Sequence, residues 1–232
     1  MVIRPGPAFQ LGTSDENVRL RHEAQFVGAF SPAKLQESAR LVWYARSANL
    51  AKAKDQWCVM GNKNNESHAL VQITQYLKAN SLLLSTAESC TAGQMIALLA
   101  SVPGAGQLLE SGYVVYSPEA KQRILHVCPK TIDGKGLTSE EVALEMAMGA
   151  LKGGPANVAV ASTGVAGPDA MDGIAPGTVC LAWVYLLKGH YFAFTHTEQF
   201  AGDRLDVQLA ASMYALARLQ HFHGKALAGE RS

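Results

Sequence analysis

Apolar residues along the chain fall into two alternating patterns from about residue 67 onward. Short runs rich in β-favouring residues, bounded by turn-forming residues, are typical of buried strands. Longer stretches with apolar residues three or four positions apart are typical of amphipathic helices. Strands are predicted from Leu82 and over 108–116, 157–162, 178–187 and 191–200, and helices over 67–80, 91–100, 117–125, 138–152 and 203–222. This alternation predicts an α/β fold, a three-layer α/β/α sandwich with a mixed sheet.

Three connections between these elements are predicted from their turn-forming residues. Cys128–Gly136 and the longer segment Thr163–Gly177, which is rich in Gly, Asp and Pro, show no apolar period and are predicted to be loops. Lys188-Gly189-His190 is short enough to join the last two strands as an antiparallel hairpin.

Residues 1–64 are predicted to form an N-terminal extension to a single domain over 65–232. Residues 1–30 have no clear period, but one helix is expected from Ser31-Pro32, because serine caps helices and proline suits the first turn. The polar run 60–67 marks the boundary. The extension is too short for a second enzyme domain, so we expect a packing or oligomerisation arm.

Composition narrows the class of protein. The formal net charge of +1 gives no reason to expect nucleic acid or an anionic membrane as a partner. No apolar stretch approaches the roughly 20 residues that span a bilayer, and the N-terminus does not resemble a secretory signal. No two cysteines form a C-x-x-C pair, which favours reduced thiols. We therefore expect a soluble cytoplasmic protein with a small-molecule ligand, possibly a homo-oligomer.

The most informative stretch is 82–97, LLLSTAESCTAGQMIA, which predicts a strand, a short polar turn and the start of a helix. Unpaired N–H groups at such a turn are able to stabilise an oxyanion, so Ser89 is a candidate nucleophile. A serine after a strand is more often a helix cap, and that alternative stays open. Cys90 is a rival nucleophile, although no histidine partner is evident.

A serine nucleophile needs a base, and Lys121 lies near the start of a predicted helix five residues after Tyr116. A partly buried lysine loses its proton more readily, so Lys121 is a candidate base. Two alternatives stay open: Lys121 as a solvated charge, and Tyr116 as an ordinary half-buried aromatic. Thr163 and Arg204 are candidates for holding an anion. The alternatives are that the segment of Thr163 is a simple connecting loop and that Arg204 only pairs with neighbouring carboxylates. His221 and His223 lie two apart and share no helical face, which is a weak metal signal.

Four segments in order resemble the CinA C-terminal domain family: 87–93 (AESCTAG), 112–121 (GYVVYSPEAK), 162–168 (STGVAGP) and 202–204 (GDR). The resemblance extends from about Ser67 to Leu219, and the enzymatic members of this family are nicotinamide-nucleotide amidases. The family often has two glycines where this chain has Ala92-Gly93. The resemblance also implies an α/β/α fold.

The resemblance implies hydrolysis of the carboxamide of nicotinamide mononucleotide to nicotinate mononucleotide and ammonia, without a metal or other cofactor. It implies Ser89 as the nucleophile, with Lys121 and Tyr116 handling its proton. The substrate-binding residues that it implies are Cys90, Thr91, Thr163, Gly164 and Arg204. The alternative is a non-catalytic module of the same fold that binds a pyridine nucleotide or docks a partner.

Overall fold

The structure, a computed structural model, describes residues 63–230. Its helices are α1 (Lys63–Ala79), α2 (Gln94–Ala100), α3 (Pro118–Leu125), α4 (Pro129–Lys135), α5 (Glu140–Lys152), α6 (Arg204–Ala217) and α7 (Leu219–Leu227), with a 3₁₀ turn at Ala105–Leu108. Its strands are β1 (Leu84–Glu88), β2 (Leu109–Val114), β3 (Val158–Gly164), β4 (Thr178–Leu187) and β5 (His190–Gln199). The N-terminal helix predicted from Ser31 lies outside the described residues, and the boundary at 64/65 stays a prediction.

The five strands form one mixed sheet in the order β2-β1-β3-β4-β5. The pairs β1–β2 and β1–β3 are parallel, whereas β3–β4 and β4–β5 are antiparallel. Helices α3, α4 and α5 pack together over one face, and α1, α2, α6 and α7 pack over the other. The predicted α/β/α sandwich with a mixed sheet is therefore confirmed.

The centre of the sheet is buried on both faces, as expected for strands covered by helices on each side. Every residue of β3 from Val158 to Thr163 is buried. The large side chains of Trp183 and Tyr185 on β4 are fully buried at 0% exposure, which places them at the core between β4 and the C-terminal helices. The loops after β1, β2 and β3 extend from this buried centre.

The hairpin predicted after β4 is confirmed. Its turn consists of Lys188 and Gly189, both with positive φ (51° and 78°), the conformation that two-residue hairpins favour. The predicted loop at Thr163–Gly177 starts too early, because Thr163 and Gly164 still belong to β3. A side chain at Gly164 would overlap the backbone of Thr178, so this glycine allows the close pairing of β3 with β4.

The prediction of a loop over Cys128–Gly136 is wrong, because α4 occupies most of it. Pro129 stands at the first helical position, and the carboxylate of Glu145 on α5 accepts hydrogen bonds from the Cys128 amide (2.7 Å) and the Thr131 hydroxyl (2.7 Å). The side chain that holds the start of α4 thus comes from a different helix. The local sequence contains no sign of it.

The prediction of one helix over 203–222 is also wrong, because the chain forms α6 and α7 with Arg218 between them. The indole N–H of Trp183 donates to the Ala215 carbonyl at 2.8 Å, and the Tyr185 hydroxyl donates to the Leu219 carbonyl at 2.7 Å. Side chains that take carbonyls from the i to i+4 ladder interrupt a helix. No helix in the described residues is long and apolar enough to cross a membrane.

Gly149 provides a test of the packing between α5 and α3. A methyl group at this buried position would overlap the Leu125 carbonyl oxygen, which belongs to α3. We expect Gly149→Ala to lower the free energy of unfolding by about 1–3 kcal/mol, the usual cost of overpacking. Gly224 is the control, because it lies in α7 with no atom within 4 Å of an added methyl. Gly224→Ala should instead stabilise by roughly 0.5–1 kcal/mol. Denaturant unfolding of both variants measures the contrast, and equal effects of the same sign would contradict it.

Candidate active site

Three parallel strands end at the same edge of the sheet. Glu88, the last residue of β1, lies opposite Val114, the last residue of β2, and opposite Ser162 of β3. The carboxyl ends of parallel strands are where ligands bind in open α/β sheets. The loops that begin at Ser89 and Val115, and the loop that follows Gly164, therefore emerge beside one another.

The defining contact at this edge joins Lys121 to Ser89. Lys121 is 1% exposed, and its Nζ lies 2.9 Å from the Ser89 Oγ. The same Nζ donates to the backbone carbonyls of Val115 at 2.9 Å and Tyr116 at 2.8 Å. The interpretation of Lys121 as a solvated charge is wrong, because three protein groups surround its amine.

The start of α3 aims Lys121 at the serine. Ser117 caps the helix by accepting from the Ala120 amide at 3.1 Å, and Pro118 occupies the first turn. Helical side chains lean toward the helix N-terminus, so the lysine projects back over the turn that follows β2. That turn lies next to the end of β1, where Ser89 is located.

Burial lowers the pKa of Lys121 from 10.5 to about 8, and the nearby Cys90 thiol partly opposes the shift. The geometry suits both protonation states. A neutral amine donates to the two carbonyls and directs its lone pair at the Ser89 hydroxyl, whereas the ammonium ion donates to all three. The site is thus able to take a proton from Ser89 and return it without moving any heavy atom.

Ser89 lies at the start of a tight turn, 89–93, that leads into α2. The residue that caps α2 is Gly93, at φ 88°, so Ser89 is not the helix cap. Ala92 also has a positive φ, 57°, which is uncommon for a residue with a side chain. The chain therefore keeps at Ala92 the left-handed backbone that glycine adopts most readily.

Among the described residues, the backbone amides of Cys90, Thr91 and Gly93 in this turn donate to no carbonyl, and those of Cys90 and Thr91 directly follow the serine. Neighbouring amides such as that of Ser89, which donates to the Ser162 carbonyl at 3.0 Å, are paired. Unpaired N–H groups adjacent to a serine hydroxyl are what a tetrahedral oxyanion requires.

The thiol of Cys90 is a poor nucleophile in this fold. Its side chain is 5% exposed, and burial raises the pKa of Cys90 to about 12. The thiolate, the reactive form, is therefore scarce at neutral pH. The Cys90 carbonyl accepts a hydrogen bond from the Gln208 side chain of α6 at 2.9 Å.

The remaining predicted site residues lie at the same edge and differ in their hydrogen bonds and exposure. Tyr116 contacts Lys121 through its carbonyl, and its side chain is 52% exposed. Arg204, the first residue of α6, donates to the Gly167 carbonyl at 2.7 Å. Thr163 is 2% exposed, and its hydroxyl donates to the Leu137 carbonyl at 2.8 Å, so its proton is already engaged. The roles predicted for these residues stay predictions.

Sequence reasoning missed three side chains that hold the 89–93 turn: Glu88, Ser162 and Gln208. Glu88 is fully buried, and its carboxylate accepts from the Thr91 hydroxyl at 2.8 Å, while the Ser162 Oγ lies 2.7 Å from the Thr91 Oγ1. A charged residue at the end of an apolar strand was an available signal for Glu88. Gln208 follows Arg204 by four positions on α6, so both lie on one helix face, and this spacing was an available signal for Gln208.

The two C-terminal histidines have separate surroundings. The buried His223 ring contacts the Tyr76 hydroxyl through its Nδ1 at 2.9 Å, whereas His221 is exposed. Across the described residues, no group of three or more His, Cys, Asp or Glu side chains is arranged to hold a metal ion.

The model of the CinA C-terminal domain family matches residues 66–223 of the chain. This chain belongs to the CinA family. The resemblance inferred from four sequence segments is therefore confirmed.

Named relatives of this CinA domain include enzymes. Nicotinamide-nucleotide amidohydrolase PncC of Escherichia coli is 40% identical over 149 residues, which cover 64% of this chain and 88% of that protein. Protein YdeJ of the same species is 38% identical over 148 residues, covering 63% of this chain and 84% of YdeJ. The crystal structure of a competence or damage-inducible protein from Enterobacter asburiae superposes with a TM-score of 0.63 at 35% identity, covering 68% of this chain and 98% of that one.

The buried amine predicts how the stability of this CinA domain changes with pH. Because the pKa of Lys121 is about 8 in the folded state and 10.5 when unfolded, the unfolded chain holds more protons between these values. The free energy of unfolding should therefore rise with pH across this window, relative to a Lys121→Met variant, by up to about 1.4 kcal/mol per pH unit. Denaturant unfolding of both proteins from pH 7 to 10.5 measures the difference. A constant difference would contradict the lowered pKa.

Proposed function

We propose that this chain hydrolyses the carboxamide of nicotinamide mononucleotide, releasing nicotinate mononucleotide and ammonia. The observation that carries the proposal is the 2.9 Å contact between the buried Lys121 amine and the Ser89 hydroxyl. The relatives named nicotinamide-nucleotide amidohydrolase support the choice of substrate. A module that only binds nucleotides or docks a partner does not need a buried amine with a lowered pKa, so the contact favours an enzyme.

The first step is acylation of Ser89. The neutral Lys121 amine takes the Ser89 proton as the Oγ attacks the amide carbon, and the carbonyl oxygen becomes an oxyanion. The unpaired amides of Cys90 and Thr91 receive this oxyanion, an interaction typically worth roughly 3–4 kcal/mol per donor. Lys121 then gives its proton to the amide nitrogen, the carbon–nitrogen bond breaks, and ammonia leaves.

The second step is hydrolysis of the resulting ester. Lys121, neutral again, takes a proton from a water molecule that attacks the ester carbon. The same two amides hold the second oxyanion, and the proton returns to Ser89 as the carbon–oxygen bond breaks. The Val115 and Tyr116 carbonyls keep the amine in place throughout, since they accept from it in either protonation state.

The substrate also carries a phosphate, and Arg204 is the cation that we assign to it. Its guanidinium uses one N–H to hold the Gly167 carbonyl, which fixes the side chain beside the loop after β3. A guanidinium has five N–H donors, so others are available for phosphate oxygens. Gly164 and Thr163 shape the start of this loop from the end of β3.

Replacing the nucleophile tests the proposed function directly. Ser89→Ala should abolish ammonia release from nicotinamide mononucleotide, because the amide carbon loses its attacking group. The neighbouring variant Cys90→Ala should retain activity within about tenfold, since the raised pKa of Cys90 excludes its thiol as the nucleophile. A coupled ammonia assay measures both rates. Full activity in Ser89→Ala would refute the serine mechanism, and loss in Cys90→Ala alone would indicate the thiol instead.

The pH dependence of the reaction tests the base. Because the pKa of Lys121 is about 8 and only the neutral amine accepts a proton, kcat/KM should rise about tenfold per pH unit below 8 and level off above it. Lys121→Arg should remove activity, because a guanidinium stays protonated. The exposed Lys130 on α4 provides the matched control, and Lys130→Arg should leave the rate unchanged. A flat profile from pH 6 to 9 would contradict Lys121 as the base.

A further inference from the structure

We propose that Glu88 is a positioning residue for this reaction, which fixes the two amides of the 89–93 turn that receive the oxyanion. The proposal rests on the function proposed above. Glu88 is 0% exposed and is the last residue of β1, directly before the serine. It does not contact the Ser89 hydroxyl in the structure, so it acts through the turn.

The Glu88 carboxylate is held by four neutral donors. Its Oε1 accepts from the Thr86 hydroxyl at 3.0 Å and the Ile96 amide at 3.1 Å. Its Oε2 accepts from the Thr91 hydroxyl at 2.8 Å and the Met95 amide at 3.0 Å. No ion pair in the described part of the chain includes Glu88. A buried carboxylate without a cation needs such a full set of donors to remain in the fold.

Two of these donors show what the carboxylate does for α2. The first amides of a helix have no partner within the helix, and a capping side chain usually accepts from the second or third of them. The cap of α2 is Gly93, which has no side chain, and Met95 and Ile96 are the second and third helical residues. Glu88 supplies the missing acceptor from the neighbouring strand.

The other link passes through Thr91. A hydroxyl has one proton, so Thr91, which donates to Glu88, must accept the proton of the Ser162 hydroxyl. The Ser162 carbonyl in turn accepts from the Ser89 amide at 3.0 Å. Both ends of the turn are therefore tied to the central strands β1 and β3. The unpaired Cys90 and Thr91 amides lie between these ties, so their direction is set by them.

Glu88→Gln tests this role with almost no change in size. A carboxamide has one acceptor oxygen, and its NH2 group would face one backbone amide, which cannot accept, and one hydroxyl, which accepts only if it reverses. The variant therefore loses at least one of the four hydrogen bonds, the one to a helix amide. Glu145→Gln is the matched control, since Glu145 accepts from one amide and one threonine hydroxyl at the start of α4, away from the serine. Both variants replace a carboxylate that accepts from backbone amides and threonine hydroxyls.

The readout is acylation of Ser89 by p-nitrophenyl acetate, followed as a burst of nitrophenolate, together with turnover of nicotinamide mononucleotide. We expect Glu88→Gln to slow acylation and kcat by roughly 10- to 100-fold, because misplacing oxyanion donors costs part of what their removal costs. Its Kd for the mononucleotide, measured in a Ser89→Ala background, should stay within about threefold, and Glu145→Gln should keep both rates within about twofold.

The pH profile separates positioning from general loosening of the site. Glu88→Gln leaves the groups around Lys121 in place, so the inflection near pH 8 should be preserved. A loosened site would admit water to the amine and move the inflection upward. A rate loss of less than threefold, an equal loss in Glu145→Gln, or a shifted inflection would each overturn the inference.

The ester assay also separates this inference from the proposed function. Wild-type protein that is acylated by the ester in a Glu88-dependent way but leaves the mononucleotide intact would refute the substrate and keep the role of Glu88. Wild-type protein in which Ser89 is never acylated would refute both. If Glu88→Gln fails to fold, Thr91→Val tests the same link, because it removes only the hydroxyl that donates to Glu88. Thr91→Ser restores that hydroxyl. Slow acylation in the valine variant with recovery in the serine variant supports the inference, and equal rates in the two variants overturn it.

Discussion

The burial of one amine constrains the whole site. A lysine side chain removed from water loses hydration that favours its charge, and the protein offsets this with two backbone carbonyls and one hydroxyl. Placing those three acceptors requires the end of β2, the start of α3 and the turn after β1 to meet within hydrogen-bonding distance of one nitrogen. The close approach of α3 to α5 at Gly149 is part of the same arrangement, since it seats the helix that carries Lys121.

Parallel pairing explains why segments distant in sequence act together. With β1 between β2 and β3, the residues after each strand end lie side by side whatever the length of the intervening chain. Helix α6, near the C-terminal end of the described chain, also holds two site loops. Arg204 and Gln208 lie one turn apart on it, and each donates to a carbonyl of a different loop. The sheet therefore sets the position of the groups and the helices adjust their direction.

Much of the fold was predictable from the sequence. The features that were not predictable depend on contacts between segments that are distant in sequence. The apolar periods around β1, β3, β4 and α5 reflect burial directly, so the sandwich followed from them. Helix α4 and the break at Arg218 depend on Glu145, Trp183 and Tyr185, which come from other elements. Likewise, the residues alone left Lys121 open to interpretation as a solvated charge. The residues alone offered Lys121 as a base for Ser89 without deciding between the two interpretations, and the resemblance to a family favoured the base, because the pairing is a contact across 32 positions.

The two carbonyls that hold the amine belong to the backbone at Val115 and Tyr116. Substitution of either side chain leaves a carbonyl in the same place as long as the turn keeps its path, so this part of the amine's surroundings tolerates sequence change. The exposed ring of Tyr116, which the resemblance implicates in handling the serine proton, is a separate contribution from the carbonyl beneath it. The placement of the amine is thus separable from any part that the ring takes in moving the proton.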